Sequence, residues 1–415
     1  MLSFLHALLP RRPDSPIGGL INWSLLGHSV PTLSFGSNYD LAGNESAYNL
    51  STWASTLRYR ESTDQWYWIG CANFGRHTYG LSVLQTTQVF TFPPGCTGIE
   101  GNRMHKRNGT YYILNDCPSE GITEVWKSST SFGPYTRKIL NQGTASPVPG
   151  TGTPIQGSLV ETEDGWWYFM SFAWDYPLGR VPVLAPISRE EDGFPVLTTV
   201  DGAWGVEYPL PVVPESPTGW DWTGVDTFEE DELSPAWQWN HNPDTEAFSL
   251  NRPGLTLRTA SVTGDLYAAR NTLAHRLHGT LPYGVLELDF ANMADGDHAG
   301  LAALKDASAW IGVVRNGTSY HLAAVHGLAM GQYGGTTITG RIVATAPIKQ
   351  TRVWLKVSMD AAAAGSHEAR FSYSLDGTAF TELGCVYELT TDYLFFVGYR
   401  YGVFNYATRA LWGVG

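Results

Sequence analysis

The chain has 415 residues, enough for two large domains or nearly three of ordinary size. Its 39 acidic and 26 basic residues give a net charge of -13, so no basic stripe exists to meet nucleic-acid phosphates. With 13% aromatic and 16% charged residues, the composition excludes disorder and suits a neutral partner held by stacking on rings.

Met1 to Leu9 is apolar, but no basic residue precedes it, and Pro10, Arg11, Arg12 and Pro13 cut it short. A signal peptide is thus weakly encoded. Five sequons, at Asn22, Asn44, Asn49, Asn108 and Asn316, point instead to an extracellular glycoprotein. The longest apolar runs fall short of 18 residues, so no transmembrane helix and no membrane partner are expected.

Short aromatic runs recur after turn signals. Trp66-Tyr67-Trp68-Ile69 follows Ser62-Thr63-Asp64, Thr110-Tyr111-Tyr112-Ile113-Leu114 follows Arg107-Asn108-Gly109, and Trp166-Trp167-Tyr168-Phe169-Met170 follows Glu163-Asp164-Gly165. Asn-Gly and Asp-Gly tolerate positive φ and favour tight hairpins. The pattern predicts an all-β chain whose first part is built of propeller blades. Prolines 209, 211, 214 and 217 mark a linker at 211–224, dividing a domain at 1–210 from one at 225–415. Beyond it, Gly284–Phe290, Trp310–Val314, Val353–Val357 and Arg370–Ser374 alternate as strands of a β-sandwich. The Ala361–Ala364 run reads as a loop. Among the cysteines, two of Cys71, Cys96 and Cys117 could pair, whereas Cys385 reads as a buried thiol. Asp295-Gly296-Asp297 has the look of a calcium loop, but the other ligands lack EF-hand spacing, so neither a metal nor a cofactor is expected.

Five blocks in order resemble glycoside hydrolase family 43, of the two-domain β-xylosidase/α-L-arabinofuranosidase type. They are Trp53-Ala54-Ser55-Thr56-Leu57-Arg58-Tyr59, Ile99-Glu100-Gly101-Asn102, Gly179-Arg180-Val181-Pro182-Val183, Trp237-Gln238-Trp239-Asn240-His241-Asn242-Pro243 and Arg400-Tyr401-Gly402-Val403-Phe404-Asn405-Tyr406. The resemblance implies a five-bladed β-propeller followed by a concanavalin-like β-sandwich. It implies hydrolysis with inversion of xylan- or arabinan-derived saccharides. One acid protonates the leaving oxygen while a carboxylate about 6.5–9.5 Å away activates water.

On this reading Glu100 is the general acid. Arg180 holds a substrate hydroxyl or steadies a carboxylate through its planar fork. Trp53, Phe74, Trp174 and Trp204 are the candidates to line the sugar pocket. Each has a plainer reading: a turn glutamate, a strand arginine, and tryptophans packed between blades. Asp116 and Asp175 are spare carboxylates, with Asp175 placed to border the pocket. Phe395, Phe404 and Tyr406 are further aromatic candidates in the sandwich.

The pattern also has gaps. The Asp-Pro-rich segment that carries the family's catalytic base is missing, and Asp14 lies in the wrong context. Asn22 to His28 already resembles the end of the first blade. There is no aspartate between Asp64 and Asp116, where the family places one that tunes the acid. Ile155 stands where the family often has histidine. The propeller therefore looks incomplete and its activity impaired. Two other readings stay open: a non-catalytic carbohydrate-binding protein, and a structural or misassembled product with exposed sheet edges.

Overall fold

The structure is a computed structural model. It describes residues 27–28, 30, 32–43, 45–49, 53–71, 88–162, 165–209 and 223–411; within 53–71 side chains are described only at 60–65 and 67. Every regular element in these residues is a strand or a single 3-10 turn. No described helix is long and apolar enough to cross a membrane.

The all-β expectation holds. β1 (Trp53–Arg60) pairs with β2 (Gln65–Cys71) as a hairpin, and Asp64 at φ 49° completes its turn. A four-stranded antiparallel sheet follows: β3 (Glu100–Arg107), β4 (Thr110–Cys117), β5 (Ile122–Ser128) and β6 (Thr136–Gln142). Asn108 and Gly109, at φ 48° and 80°, form the tight turn between β3 and β4. A second such sheet contains β7 (Ser158–Glu161), β8 (Trp167–Asp175), β9 (Gly179–Arg189) and β10 (Pro195–Leu197).

The inner strands β4 and β5 are buried along nearly their whole length, as blades covered on both faces require. Leu114 and Val125 of one sheet join Leu159, Phe169, Val183 and Ala185 of the other in one apolar cluster. Two blades and a hairpin among the described residues make an incomplete propeller.

The second unit is a sandwich. Its seven-stranded sheet runs, in spatial order, through β11 (Trp237–Trp239), Leu273–Arg276, Arg400–Ala407, Asp297–Leu304, Ala307–Asn316, Ser319–Met330 and Thr336–Ile348. The facing sheet is built on Tyr283–Asp289, Arg352–Met359 and Glu368–Ser374. Leu301, Ile311, Val313 and Leu322 meet Val353, Leu355, Val357 and Phe371 between them. The outward residues of Tyr283–Asp289 are exposed, and the alternation read from the sequence is that of a half-buried strand.

Two seams join the units. At the first, the Tyr176–Leu178 turn between β8 and β9 docks on the sandwich. Leu178 N donates to Ala361 O at 2.9 Å, and Tyr399 N donates to Pro177 O at 2.9 Å. Gly398 lies so close that a Cβ there would run into Leu178 O. The Ala361–Ala364 loop expected from the sequence supplies this surface.

At the second seam, the stretch after β11 clasps residues 33–48. Asn242 Nδ2 donates to Leu33 O at 3.0 Å and to Asp40 Oδ1 at 2.8 Å, and its Oδ1 accepts from Leu33 N at 3.0 Å. Ala47 N lies 3.2 Å from His241 Nε2, and Asn240 Nδ2 donates to Tyr48 Oη at 2.7 Å. His28 Nε2 meets Trp237 O at 3.1 Å. The described part of the stretch read as the end of a first blade therefore borders the sandwich. Asn22 and Asp14 lie outside the described residues, as does most of the linker.

Cys96 and Cys117 form a disulfide with Cα atoms 5.7 Å apart. Cys385 departs from its expected burial. It is exposed, with Sγ 3.9 Å from His326 Nδ1. The aspartates of the calcium-like turn bond to protein donors: Asp295 accepts from Gly317 N at 2.6 Å and pairs with Arg409, while Asp297 accepts from Ala294 N at 2.6 Å.

Candidate active site

Glu100 opens β3 and faces Asp116 of β4 across the ladder. The two acids have opposite surroundings: Glu100 is exposed, and Asp116 is 3% exposed. Between Glu100 and Arg103 the register shifts, with Gly101 at φ 62°. That conformation disfavours a side chain, and there is no space for one: a Cβ at Gly101 would lie 2.7 Å from Asp116 Oδ1 and 2.9 Å from Gln156 Cγ. The Glu-Gly pair thus folds the strand tightly over the Asp116 carboxyl.

Gln156 Nε2 donates to Asp116 Oδ1 at 3.2 Å. The segment carrying Gln156 is fastened at successive residues. Asn141 donates to Pro154 O at 2.6 Å, Thr123 to Ile155 O, and Ser171 to Gln156 O at 2.8 Å. A side chain at Gly157 would strike Met170 O and the Phe169 ring. Burial pushes the Asp116 carboxyl up to about 6; the Gln156 bond opposes the rise, the Glu100 charge adds to it, and Arg103 opposes it weakly.

On the face of β8 opposite Ser171 stands a second group. Three residues beyond Ser171, Trp174 stands opposite Arg180 of β9. Phe172 and Trp174 share a face because strand side chains alternate. The Arg180 guanidinium lies over both rings, at 4.8 and 5.3 Å, and over Phe396 of the sandwich at 5.3 Å. Tyr393 meets Trp174 edge-on at 5.7 Å. Phe396 is 36% and Tyr393 60% exposed, so the group opens to solvent. Phe395 and Phe396 sit at φ 58° and 56°, a backbone strained for such side chains. Each Arg–ring contact contributes about 0.5–2 kcal/mol.

Known proteins resemble this chain along most of its length. A model of the β-xylosidase C-terminal concanavalin A-like domain matches residues 225–411. A candidate β-xylosidase of Xylanibacter ruminicola is 28% identical over 302 residues, spanning 71% of this chain and 53% of that protein. A β-xylosidase of Formosa agariphila is 23% identical across 98% of this chain and 83% of its own length. A solved GH43 glycoside hydrolase, engineered in its active site to display both endo-xylanase and exo-arabinofuranosidase activity, is 35% identical. It superposes with a TM-score of 0.88 over 95% of this chain and 90% of its own. The chain belongs to glycoside hydrolase family 43. Its propeller-plus-sandwich architecture is the family 43 architecture, although the chain spans only about half the length of the Xylanibacter relative.

Arg180 and Trp174 come together, and Glu100 stands at an exposed strand start. Trp204 is 3% exposed, packs on Phe169 at 5.8 Å and donates from Nε1 to Leu184 O at 3.2 Å. Both its faces serve the core, and none is left for a sugar. Trp53 opens β1, with its side chain outside the described residues, as is the whole of Phe74.

Asp175 is buried at the seam, accepting from Ala363 N at 2.6 Å, so it ties the two units together and does not border a pocket. Phe404 and Tyr406 are 1% and 3% exposed and pack in the sandwich. The sequence reading passed over Phe396, Tyr393 and Gln156. Asp116 was noted only as spare, although it sits in the apolar run Tyr112-Ile113-Leu114-Asn115-Asp116-Cys117, where an acid is a signal in itself.

Proposed function

We propose that this chain hydrolyses xylan- or arabinan-derived saccharides, with Glu100 as proton donor, and that its turnover is slow. The carrying observation is the exposed Glu100 beside a buried carboxyl in a family 43 frame. An acid at a strand mouth can reach a leaving oxygen. Arg180 with Trp174 and Phe396 offers a ring-lined surface suited to the apolar face of a sugar and to its hydroxyls.

Slowness is inferred from the sequence, in which the segment that carries the family's catalytic base is not recognisable; among the described residues the acid set opposite Glu100 is Asp116. Asp116 is too buried to meet a water or an anomeric carbon. The same observation favours a second reading, a binding protein that no longer turns over. The disulfide and the exposed sequons at Asn108 and Asn316 support a place outside the cytosol.

The test uses the full chain with aryl β-xyloside and aryl α-L-arabinofuranoside, alongside calorimetry with xylo- and arabino-oligosaccharides. Slow turnover, reduced about 10²–10⁴-fold by Glu100→Gln, is the expected result. Binding without turnover selects the second reading. Neither binding nor turnover overturns both.

A further inference from the structure

We propose that a cleft at the end of the blades remote from Glu100 is a second binding site, and that it takes a saccharide bearing a carboxylate, such as a uronate branch on a xylan-type chain. Glu100, Asp116 and Arg180 take no part in it, so it stands apart from the hydrolytic reading.

Strand direction separates the two ends. β3 begins at Glu100 and ends at Arg107, β9 begins at Gly179 and ends at Arg189, and β8 runs the other way, from Trp167 to Asp175. Trp174 and Arg180 therefore lie at one end of the β8–β9 ladder, and Trp167 and Arg189 at the other. At that second end, beside Arg107, opens a cleft of about 350 Å³ lined by Arg107, Trp166, Trp167, Ser188 and Arg189. Small-molecule sites occupy about 300–1,000 Å³.

Two guanidiniums meet there. Both lie over the Trp167 ring, Arg107 at 5.0 Å and Arg189 at 5.4 Å. Arg189 also lies over Tyr112 at 5.2 Å, and its Nη1 donates to Tyr112 Oη at 3.1 Å and to Gly193 O at 3.0 Å. Neutral groups thus hold this side chain in place. Its Nη2 is a buried donor with no partner among the described residues, and so is Nε1 of the buried Trp167. Folded chains seldom leave such donors unspent.

Arg107 donates from Nη2 to Gly165 O at 3.0 Å, and its Nε lies 3.9 Å from Glu161. Glu161 is exposed, so this ion pair is screened by water. Glu163 and Asp164 lie outside the described residues. Among the described lining residues the charges are two cations and no acid, in a chain of net charge -13. A planar guanidinium fits a carboxylate through two parallel hydrogen bonds.

Trp166 supplies the other half of the chemistry. It is 65% exposed at the rim of the cleft, where an indole presents an apolar face to the C–H face of a sugar ring. Ser188, also exposed, offers a hydroxyl beside it. A plain anion would make no use of the ring, and a neutral sugar no use of the arginines. An acidic sugar uses both.

The experiment is calorimetry on the full chain with three ligands: a xylo-oligosaccharide carrying one glucuronic acid branch, the same oligosaccharide without the branch, and free glucuronate. Wild type, Trp166→Ala and Arg189→Gln are compared. Trp166→Ala removes an exposed ring and leaves the core intact, so it tests the site even if Arg189→Gln weakens the fold.

In wild type the branched chain binds about tenfold more tightly than either other ligand, and added salt erodes the advantage. Trp166→Ala lowers its affinity about tenfold and leaves hydrolysis of an aryl β-xyloside unchanged. Arg189→Gln removes the preference for the branched chain over the unbranched one. Equal affinity for those two chains in wild type overturns the proposal. So does binding of the branched chain that neither variant alters, and so does free glucuronate binding as tightly as the branched chain. A protein that binds in this way without hydrolysing aryl glycosides supports the second site and fails the hydrolytic reading, so the two failures are distinguishable.

Discussion

At the scale of single residues, Gly101 and Asp116 carry the sharpest expectations. Gly101→Ala imposes a side chain at φ 62°, where it meets Asp116 Oδ1 and Gln156 Cγ. Strain and displacement together should cost about 1–3 kcal/mol, read as a drop in urea midpoint with unchanged slope. Asp116 makes stability depend on pH in a definite direction. Its native value is raised from 3.8 to about 6, so the native state holds the proton more tightly than the unfolded chain. The stability this contributes is fully present below about pH 4 and is lost as pH rises through about 6. The loss is on the order of 2–3 kcal/mol. Urea unfolding at steps from pH 4 to 7 should show wild type losing stability relative to Asp116→Asn by that amount. Parallel curves would count against the burial argument. Glu100 was singled out by the resemblance of its Ile99-Glu100-Gly101-Asn102 block, whereas its local sequence alone reads as a turn glutamate. Asp116 was not, because its burial comes from β5 and from the Gln156 segment, 40 positions away in sequence.

Among elements, the β3–β4 hairpin is stapled at its open end. The Cys96–Cys117 disulfide closes 21 positions, and its two arms hold Glu100 and Asp116 just inside. Removing it with Cys96→Ser and Cys117→Ser together should cost about 3 kcal/mol, measured by thermal unfolding against the oxidised protein. The hairpins themselves were plain in the sequence. Asp64, Asn108-Gly109 and Gly165 stand at positive φ where tight turns need it, and the aromatic runs after them became β2, β4 and β8. The 3-10 turn at Leu394–Phe396 was not legible. No turn residue marks it; Phe395 packs within the sandwich, and Phe396 meets Trp174 and Arg180 across the seam. Trp204 misled for a related reason: a tryptophan in a blade has the same local sequence whether it faces a groove or the core.

For the whole molecule, the sandwich acts as the base on which the remainder is mounted. Its Ala361–Ala364 loop receives the β8–β9 turn, and its β11 extension grips residues 33–48. Asn242 is 6% exposed and makes three side-chain bonds across that grip. Asn242→Ala should therefore lower stability by about 2–4 kcal/mol and expose the Leu33–Tyr48 stretch to proteolysis. Cleavage no faster than in wild type would rule out the grip as a fastening. The two-unit plan was readable from the proline-rich break and the change in strand patterning. The grip was not, since hydrogen bonds between residues so distant leave no local periodicity.

That grip also sets a clock. Leu33 and Asn242 are 209 positions apart. At roughly 5–20 residues per second, a ribosome needs about ten to forty seconds to supply the second after the first. Throughout that interval Leu33 and Ala47 lack the Asn242 and His241 side chains that bond to their backbone in the finished protein. The bonds that fasten this segment therefore cannot form until the sandwich has been made.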